Sequence, residues 1–468
     1  MHMNKINKFY LCAKYMNWLF LIGSILLLVF TIYRTEFVLH GEYTKKYLDY
    51  YIVSIGGILF WGLTLKLNNK IRTNIIVSIF SLLVALYLVE GVLNIFEIGK
   101  KSVELKDRLQ VAKEIGIEFD QRSRLEVIND LTIKGLDAVP TFRPANLPEQ
   151  GLTNKTKDKF LFPLAGVSKI ITVESNESGQ FCVYQSDRHG FNNPDDQWDS
   201  SQVEYLLVGD SFTHGFAVQP GEDIPSQIRS ITNSSVINLG ISGNGPLIEL
   251  GGLKEYAEFL TPNKVLWLYY EENDLGRDLQ KEQKSVLLTS YLDDGFSQNL
   301  INRQQEIDNN IKLYIKKEQG EAQKQAQIQV DLYKTRWMRL YEVRKLLNFG
   351  VNSEVIINID QMFSDILEKA KNRTEAWGGE FYFVYLPEFS RYVGEIDHNR
   401  YRKKSEVIDL INRLDIPVID IHQEVFSNNP DPLSLFPFRL PGHYNADGYN
   451  EVAKAIVTSV DKYEQSTK

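Results

Sequence analysis

The sequence predicts an α/β domain with a parallel sheet, preceded by a segment that spans a membrane. From residue 203 onward, short apolar runs rich in Val, Ile, Tyr and Phe alternate with segments of helical periodicity, as in parallel α/β folds. The first hundred residues hold three long apolar runs, whereas the remainder is polar. With 468 residues, the chain is long enough for a membrane segment and one or two soluble domains.

The three apolar runs cover residues 16–33, 50–65 and 74–96. A helix needs about 20 apolar residues to cross the hydrocarbon core, so the first and third runs are long enough. The second is short, which leaves a re-entrant or interfacial segment as the alternative to a span. A cleaved signal peptide is the alternative for the first run. Because two more apolar runs follow and no small-residue cleavage site is present, we predict an uncleaved anchor.

Basic residues predict the orientation of this anchor. They cluster before the first run and between the second and third, at Lys5, Lys8, Lys14, Lys66, Lys70 and Arg72. Cytoplasmic loops carry an excess of Lys and Arg, so both clusters are expected in the cytoplasm. Three spans then predict a multi-pass membrane protein with a cytoplasmic N-terminus. Everything after Phe96 is expected outside the cytoplasm, in the periplasm or at the cell surface.

The pattern divides the chain into three parts. Residues 1–97 form the membrane anchor with three transmembrane helices, residues 98–195 a linker and accessory region, and residues 196–466 the α/β domain. The strands expected in this domain cover residues 205–208, 236–239, 265–270, 381–386 and 418–421. Residues 279–349 interrupt it with helical spacing and no strand signal. We expect a helical hairpin that caps the sheet, with a lid or a docking surface as alternatives.

Charge and cysteine content exclude several classes of protein. The chain has 52 Lys and Arg against 60 Asp and Glu and no long basic cluster, so nucleic acid is not an expected partner. Its two cysteines, Cys12 and Cys182, lie too far apart in the sequence to suggest a disulfide framework or a metal-ligand motif. We expect no metal and no cofactor.

Four segments that follow strands or precede a helix carry groups suited to catalysis. Ser211 follows the first strand of the α/β domain, Gly243 lies in a glycine-rich turn after the second, Asn273 follows the third, and His443 precedes the last helix. The carboxyl ends of parallel strands meet at one edge of a sheet, where such folds bind their ligands. A serine hydroxyl needs a base to become a nucleophile, and neutral imidazole suits that role near pH 7.

These four ordered blocks resemble the SGNH hydrolase superfamily, which is named after Ser, Gly, Asn and His. The resemblance covers residues 201–460 or so and implies a flavodoxin-like parallel sheet with helices on both faces. It also implies that Ser211 is the nucleophile and His443 its general base. The oxyanion hole would consist of the amides of Ser211 and Gly243 and the side chain of Asn273. The implied activity is that of a serine esterase or acyltransferase acting on ester bonds.

The sequence departs from the family pattern at two positions. Glu272 stands where the family has a glycine before the oxyanion asparagine, and Leu440 stands where it has an aspartate three residues before the histidine. An orienting carboxylate fixes the tautomer of the histidine and stabilises its charged form. We therefore predict a substitute, with Asp431 as the first candidate and Asp420 as the second. Asp447 is expected to cap the last helix.

An acidic cluster and one further histidine are interpreted as structural rather than catalytic. Four carboxylates near the end of the third strand could bind a divalent cation, but a hydrogen-bonded rim is the favoured interpretation: Glu271, Glu272, Asp274 and Asp278. His214 lies three residues after Ser211 and is expected to pack rather than touch substrate.

The first hypothesis for function is a membrane-anchored, extracytoplasmic O-acyl esterase or O-acyltransferase. Its substrate would be an acylated polysaccharide or glycolipid, cell-surface or secreted, and a transferase would need a membrane-embedded acyl-donor partner. One alternative is a catalytically degenerate domain that binds glycan. Another is a structural subunit of a complex that exports or modifies polysaccharide.

Overall fold

The computed structural model describes residues 2–38, 47–95, 105–154, 159–318, 340–347, 359, 361–393 and 403–467. The chain forms two compact units, the first from residues 1–102 and 322–354 and the second from residues 103–321 and 355–468. The three-part division expected from the sequence stays a prediction. Residues 319–339 and 348–349 of the expected insertion lie outside the described ranges.

The first unit is built from the helices His2–Ile32, Leu48–Thr64, Asn69–Ile95 and Tyr341–Leu346. Two helical segments, Asn7–Phe37 and Asn69–Leu93, are long and apolar enough to cross a membrane, with mean hydropathies of 2.0 and 2.4. The helix Leu48–Thr64 is apolar but has only 17 residues. Length and composition therefore make two helices candidates for membrane spans.

A polar contact joins the first two helices of this unit. The Asn17 side-chain amide donates to the carbonyl oxygen of Trp61 at 2.9 Å, and the Thr64 hydroxyl donates to Asn17 Oδ1 at 2.6 Å. Asn17 is fully buried. Hydrogen bonds of this kind between apolar helices favour one packing arrangement over others.

Glu90 has a buried carboxylate that caps a short helix. It accepts hydrogen bonds from the backbone N–H groups of Glu342 and Val343 at 3.1 and 2.8 Å. The first N–H groups of a helix have no partner within it, so a carboxylate there satisfies them. Residues 340–347, which fall in the insertion expected at 279–349, therefore pack within the first unit.

The second unit begins with the helices Leu105–Glu114 and Arg124–Ile133. Five three-residue strands follow: β1 (Ala138–Pro140), β2 (Leu152–Asn154), β3 (Lys159–Leu161), β4 (Ile171–Val173) and β5 (Val183–Gln185). β4 pairs in parallel with β1 and antiparallel with β5, while β2 and β3 form a separate antiparallel pair. Residues 174–182 connect β4 to β5.

The main sheet of the second unit has five parallel strands: β6 (Tyr205–Val208), β7 (Val236–Asn238), β8 (Lys264–Tyr270), β9 (Glu380–Leu386) and β10 (Val418–Asp420). Their order across the sheet is β10-β9-β8-β6-β7. Counted along the chain from β6, this is the 2-1-3-4-5 order of flavodoxin-like folds. The predicted fold class is thereby confirmed.

Helices cover both faces of the main sheet, as predicted. Side chains alternate along a strand, so Leu206 and Leu207 of β6 enter two different cores. The first core is closed by the helices Pro246–Gly252, Gln361–Ala376 and Lys403–Arg413. The second is closed by the helices Ile224–Thr232 and Ala446–Thr467.

The described early part of the insertion packs on the first of these faces. Residues 304–318 are helical, and Ile307 and Ile311 are buried in the first core. Leu288 and Leu300 are buried in the same core.

Candidate active site

Ser211 is presented at the carboxyl edge of the main sheet. It lies three residues after the end of β6 and begins the one-turn helix Ser211–His214. The Asp210 carboxylate caps this turn by accepting a hydrogen bond from the backbone N–H of Phe212 at 2.9 Å. Ser211 is 9% exposed and lines a cavity.

His443 meets Ser211 across this cavity, although 232 residues separate them along the chain. The distance between His443 Nε2 and Ser211 Oγ is 2.8 Å. The imidazole packs against the rings of Phe216 and Phe212, with centroid distances of 4.1 and 4.7 Å. These contacts keep the ring in line with the serine hydroxyl, which is the geometry of a serine beside its general base.

Glu177 supplies the carboxylate that faces the other ring nitrogen. Its Oε2 lies 3.1 Å from His443 Nδ1 and accepts the backbone N–H of His443 at 3.0 Å. One carboxylate oxygen therefore contacts both the imidazole and the main chain of the same residue. This arrangement fixes the tautomer with Nδ1 protonated and Nε2 free to accept the serine proton.

Asp431, the acid expected from the sequence, does not take this place. Both of its carboxylate oxygens accept hydrogen bonds from Arg439, each at 2.6 Å. The second candidate, Asp420, pairs with Lys404 at 2.6 Å. Glu177 lies in the loop between β4 and β5, 266 residues before His443, and no motif surrounds it. Neither a motif nor proximity to His443 in the sequence therefore indicates this residue.

The Glu177 carboxylate is ionised at neutral pH. Burial by itself would raise its pKa, but the positive charge of protonated His443, the hydrogen bonds from His443 and the charge of Arg108 lower it to about 2. The group is therefore a permanent negative charge beside the imidazole. Such a charge stabilises the imidazolium that forms when the histidine removes a proton.

Gly243 and Asn273 lie on the wall of the same cavity. The amide nitrogen of the Asn273 side chain donates to Asp278 Oδ2 at 2.7 Å and to Asp210 Oδ2 at 3.1 Å. Both amide hydrogens are thus engaged by carboxylates. This amide can bind an oxyanion only in place of one of these two hydrogen bonds.

Asp278, which accepts a hydrogen bond from Asn273, interacts electrostatically with three more buried carboxylates, those of Asp274, Glu249 and Glu282. Burial raises the pKa of Asp278 to about 6 and that of Glu282 to about 8, and it raises the pKa values of Asp274 and Glu249 well above their usual range. Asp274 accepts the backbone N–H of Tyr270 at 2.9 Å. Within the part of the chain that the structure describes, no group of His, Cys, Asp or Glu is arranged to hold a metal ion.

His214 is buried and does not line the cavity. Its ring nitrogens lie 2.9 Å from the hydroxyls of Ser242 and Tyr184. Burial lowers the pKa of His214, which favours the neutral ring. Because Ser242 precedes Gly243, this contact helps to hold the glycine turn.

The cavity has a volume of about 510 Å³ and is partly open. Apolar and charged side chains share its walls. Besides the residues already described, it is lined by Arg143, Tyr270, Glu272, Arg277, Glu388, Phe389, Ser390, Val393, Pro441 and Gly442. Glu272 lines the cavity and is exposed.

Three solved structures are similar to this chain. A protein assigned to the G-D-S-L family of lipolytic proteins, from Desulfitobacterium hafniense DCB-2, has 10% identity over 55% of this chain and 99% of its own, with a TM-score of 0.31. A two-domain esterase active on acetylated mannans, co-crystallised with mannopentaose, has 11% identity over 57% and 51%, with a TM-score of 0.30. A catalytic mutant of an acetylxylan esterase from Geobacillus stearothermophilus has 13% identity over 56% and 95%, with a TM-score of 0.29.

Neither a family model nor a curated protein matches the chain. The second unit has a flavodoxin-like parallel sheet, and Ser211, Gly243, Asn273 and His443 line one cavity at its carboxyl edge.

Proposed function

We propose that the chain is a serine O-acyl esterase or O-acyltransferase that works through an acyl-serine intermediate. The observation that carries this proposal is the hydrogen-bonded series from Ser211 Oγ through His443 to the Glu177 carboxylate, with distances of 2.8 and 3.1 Å. Nucleophile, base and orienting acid are all within hydrogen-bond reach, which is the geometric signature of this chemistry.

The reaction begins when Ser211 Oγ attacks the acyl carbonyl carbon while its proton passes to His443 Nε2. The carbonyl oxygen becomes an oxyanion, stabilised by the amides of Ser211 and Gly243 and by the Asn273 side chain. The tetrahedral intermediate then collapses, the bond to the alcohol oxygen breaks, and the imidazolium returns its proton to that alcohol. The acyl group remains on the serine.

A second hydroxyl completes the cycle. His443 removes a proton from it as its oxygen attacks the acyl-serine, and Ser211 Oγ leaves with the proton that the imidazolium gives back. Water as acceptor makes the enzyme an esterase, whereas a sugar hydroxyl makes it a transferase. The Glu177 carboxylate stabilises the imidazolium in both halves of the cycle.

We infer an acylated polysaccharide or glycolipid, cell-surface or secreted, as the substrate class. The apolar helices of the first unit support a membrane location. We propose that the 17-residue helix Leu48–Thr64 spans the membrane together with the two longer helices, and the basic residues before and between the apolar runs then favour a cytoplasmic N-terminus. The acyl-transferring domain then faces outward. A transferase with so few spans needs a separate membrane protein to deliver the acyl donor.

The test is release of p-nitrophenol from p-nitrophenyl acetate by the full-length chain in detergent. We expect wild-type turnover that Ser211→Ala abolishes. The matched control is Ser201→Ala, which removes the same atom from an exposed serine and leaves the rate unchanged. A wild type no faster than Ser211→Ala would refute the proposal. Mass spectrometry of the acylated serine, with a sugar added as acceptor, separates transfer from hydrolysis.

A catalytically degenerate domain that binds glycan is the second candidate. The observation that favours it is the Asn273 amide, whose two hydrogens are both donated to carboxylates rather than to the cavity. A fluorophosphonate probe separates the two candidates, because only an activated serine reacts with it. Labelling that depends on Ser211 and on His443 excludes the degenerate domain.

A further inference from the structure

Arg108 lies at the junction of the two loops that carry Glu177 and His443. It belongs to the helix Leu105–Glu114 and is 7% exposed. Its Nη1 donates to the carbonyl oxygen of Glu177 at 2.9 Å, and its Nη2 donates to the carbonyl oxygen of Pro441. The same guanidinium lies 3.8 Å from Glu177 Oε2. One side chain therefore joins the acid-bearing loop to the base-bearing loop.

Gly442 packs closely against the Arg108 guanidinium and the Glu177 carboxylate. A Cβ atom on Gly442 would lie 2.5 Å from Glu177 Oε2 and 2.6 Å from Arg108 Nη2. The φ angle of Gly442, +153°, is also one that favours glycine. Because Gly442 precedes His443, a shift of Arg108 displaces the main chain beside the catalytic base.

The residues that follow the helix brace the same loop through the main chain. The Asp120 N–H donates to the carbonyl oxygen of Gly179 at 2.8 Å, and the Asn176 side chain donates to the carbonyl oxygen of Asp120 at 2.8 Å. Phe119 packs on Phe438 with ring centroids 5.9 Å apart. Residues 108–120 thus contact the loop 174–182 on one side and the loop before His443 on the other.

A guanidinium is required for this role. Burial lowers the pKa of Arg108 while the Glu177 carboxylate raises it, yet an arginine remains protonated throughout the physiological range. Its planar fork donates to two carbonyl groups at once, with a fixed angle between them. A lysine ammonium on a flexible stem reproduces the charge but not this geometry.

We propose that Arg108 is a positioning residue for the Ser211–His443–Glu177 triad, so that the helix Leu105–Glu114 completes the active site from outside the α/β sheet. This inference rests on the proposed function for its kinetic consequences, whereas its structural content is independent of turnover. Arg108 sets the distance between the acid and base loops, and without it the carboxylate and the imidazole lose their alignment.

The experiment compares Arg108→Ala and Arg108→Lys with wild type in the full-length chain. A misplacement of about 1 Å can cost about 100-fold in rate, so we expect kcat of Arg108→Ala to fall by about 100-fold with KM within about twofold. The kcat of Arg108→Lys should lie between that of Arg108→Ala and that of wild type. Added guanidinium should restore part of the kcat of Arg108→Ala and none of that of Ser211→Ala.

The matched control is Arg229→Ala. Arg229 also donates to a carbonyl oxygen, that of Val236 at 3.0 Å, and to Asn193 at 2.8 Å, but it touches neither catalytic loop. We expect Arg229→Ala to lower Tm and to leave kcat per folded molecule unchanged. A loss of activity in Arg108→Ala that follows the folded fraction alone, without guanidinium rescue, would overturn the proposal.

Hydrogen–deuterium exchange followed by mass spectrometry provides a readout that needs no turnover. Arg108→Ala should accelerate exchange in peptides containing Gly179 and His443, whereas Arg229→Ala should leave these peptides unchanged. Unchanged exchange in Arg108→Ala overturns the positioning role even if the enzyme is active. Absence of Ser211-dependent turnover in wild type, with exchange accelerated as expected, overturns the proposed function and leaves the positioning role standing.

Discussion

Replacing Glu177 by glutamine removes the negative charge beside His443 while keeping the size of the side chain. The pKa of Glu177 lies at about 2 rather than the usual 4.5, which corresponds to about 3 kcal/mol of net favourable interaction with its surroundings. Burial opposes this lowering, whereas Arg108 and the backbone N–H of His443 contribute to it, so we take about 3 kcal/mol as the order of magnitude of the stabilisation that Glu177 gives the imidazolium.

Loss of about 3 kcal/mol of this stabilisation raises the barrier of the step in which His443 becomes charged by about the same amount. A barrier raised by this amount lowers kcat about 100-fold. We expect this loss for Glu177→Gln in the p-nitrophenyl acetate assay at pH 7, with KM little changed, because Glu177 does not line the substrate cavity. Asp431→Asn is the control, since it breaks an exposed pair with Arg439 and should keep kcat within about twofold. A Glu177→Gln rate within threefold of wild type, or an equal loss in Asp431→Asn, would refute the reasoning.

Three further predictions follow from the same contacts. Because folding lowers the pKa of Glu177, its stabilising contribution is complete above about pH 4.5 and is lost as the pH falls towards 2, so Tm of wild type should fall more steeply over this window than Tm of Glu177→Gln. Asn273→Ala should lower kcat by about 10²- to 10³-fold, the effect of losing one oxyanion donor, and a smaller loss than tenfold would mean that its amide stays with the carboxylates. Gly442→Ala should lower kcat by up to about 100-fold, because its Cβ collides with Glu177, whereas Gly378→Ala, with a positive φ of +87° but open space around it, should cost stability alone.

The main sheet was predictable from the sequence because its strands are buried on both faces. Each strand therefore appears as a short continuous apolar run, and the seven residues of β8 are all buried. The predicted strands and the last helix also locate four residues in the sequence, because each of them borders one of these elements: Ser211, Gly243, Asn273 and His443. In the structure all four lie at the same cavity.

The carboxylate that contacts His443 could not be predicted, because no pattern marks the loop that carries it. β4 and β5, on either side of Glu177, have three residues each, and a strand-like run at residues 170–173 does not indicate what the following loop contacts. Asp431 was favoured because it is close to His443 in the sequence, but the nearby Arg439 binds both of its carboxylate oxygens. The partner of a catalytic histidine is selected by tertiary contacts rather than by separation along the chain.

The sequence also could not predict where the helices of the insertion pack. Helical spacing predicted helices in residues 279–349 but could not tell which unit each helix would join. Ile307 and Ile311 are buried in the core of the second unit, whereas the N–H groups of Glu342 and Val343 bind the buried carboxylate of Glu90 in the first. Helical spacing shows that a segment forms a helix but not which buried polar group its free N–H groups will bind.

Glu177 precedes the main sheet in the sequence although it belongs to the same compact unit, which has a consequence for how the chain can be divided or recombined. A fragment comprising residues 196–466 would retain the proposed nucleophile, base and oxyanion donors but would lack the proposed orienting acid and Arg108. Exchanging the segment before residue 196 for that of a relative would therefore change the electrostatics of the histidine while every recognisable motif stayed in place. Divergence in that segment can tune or silence activity without leaving a trace in the four blocks.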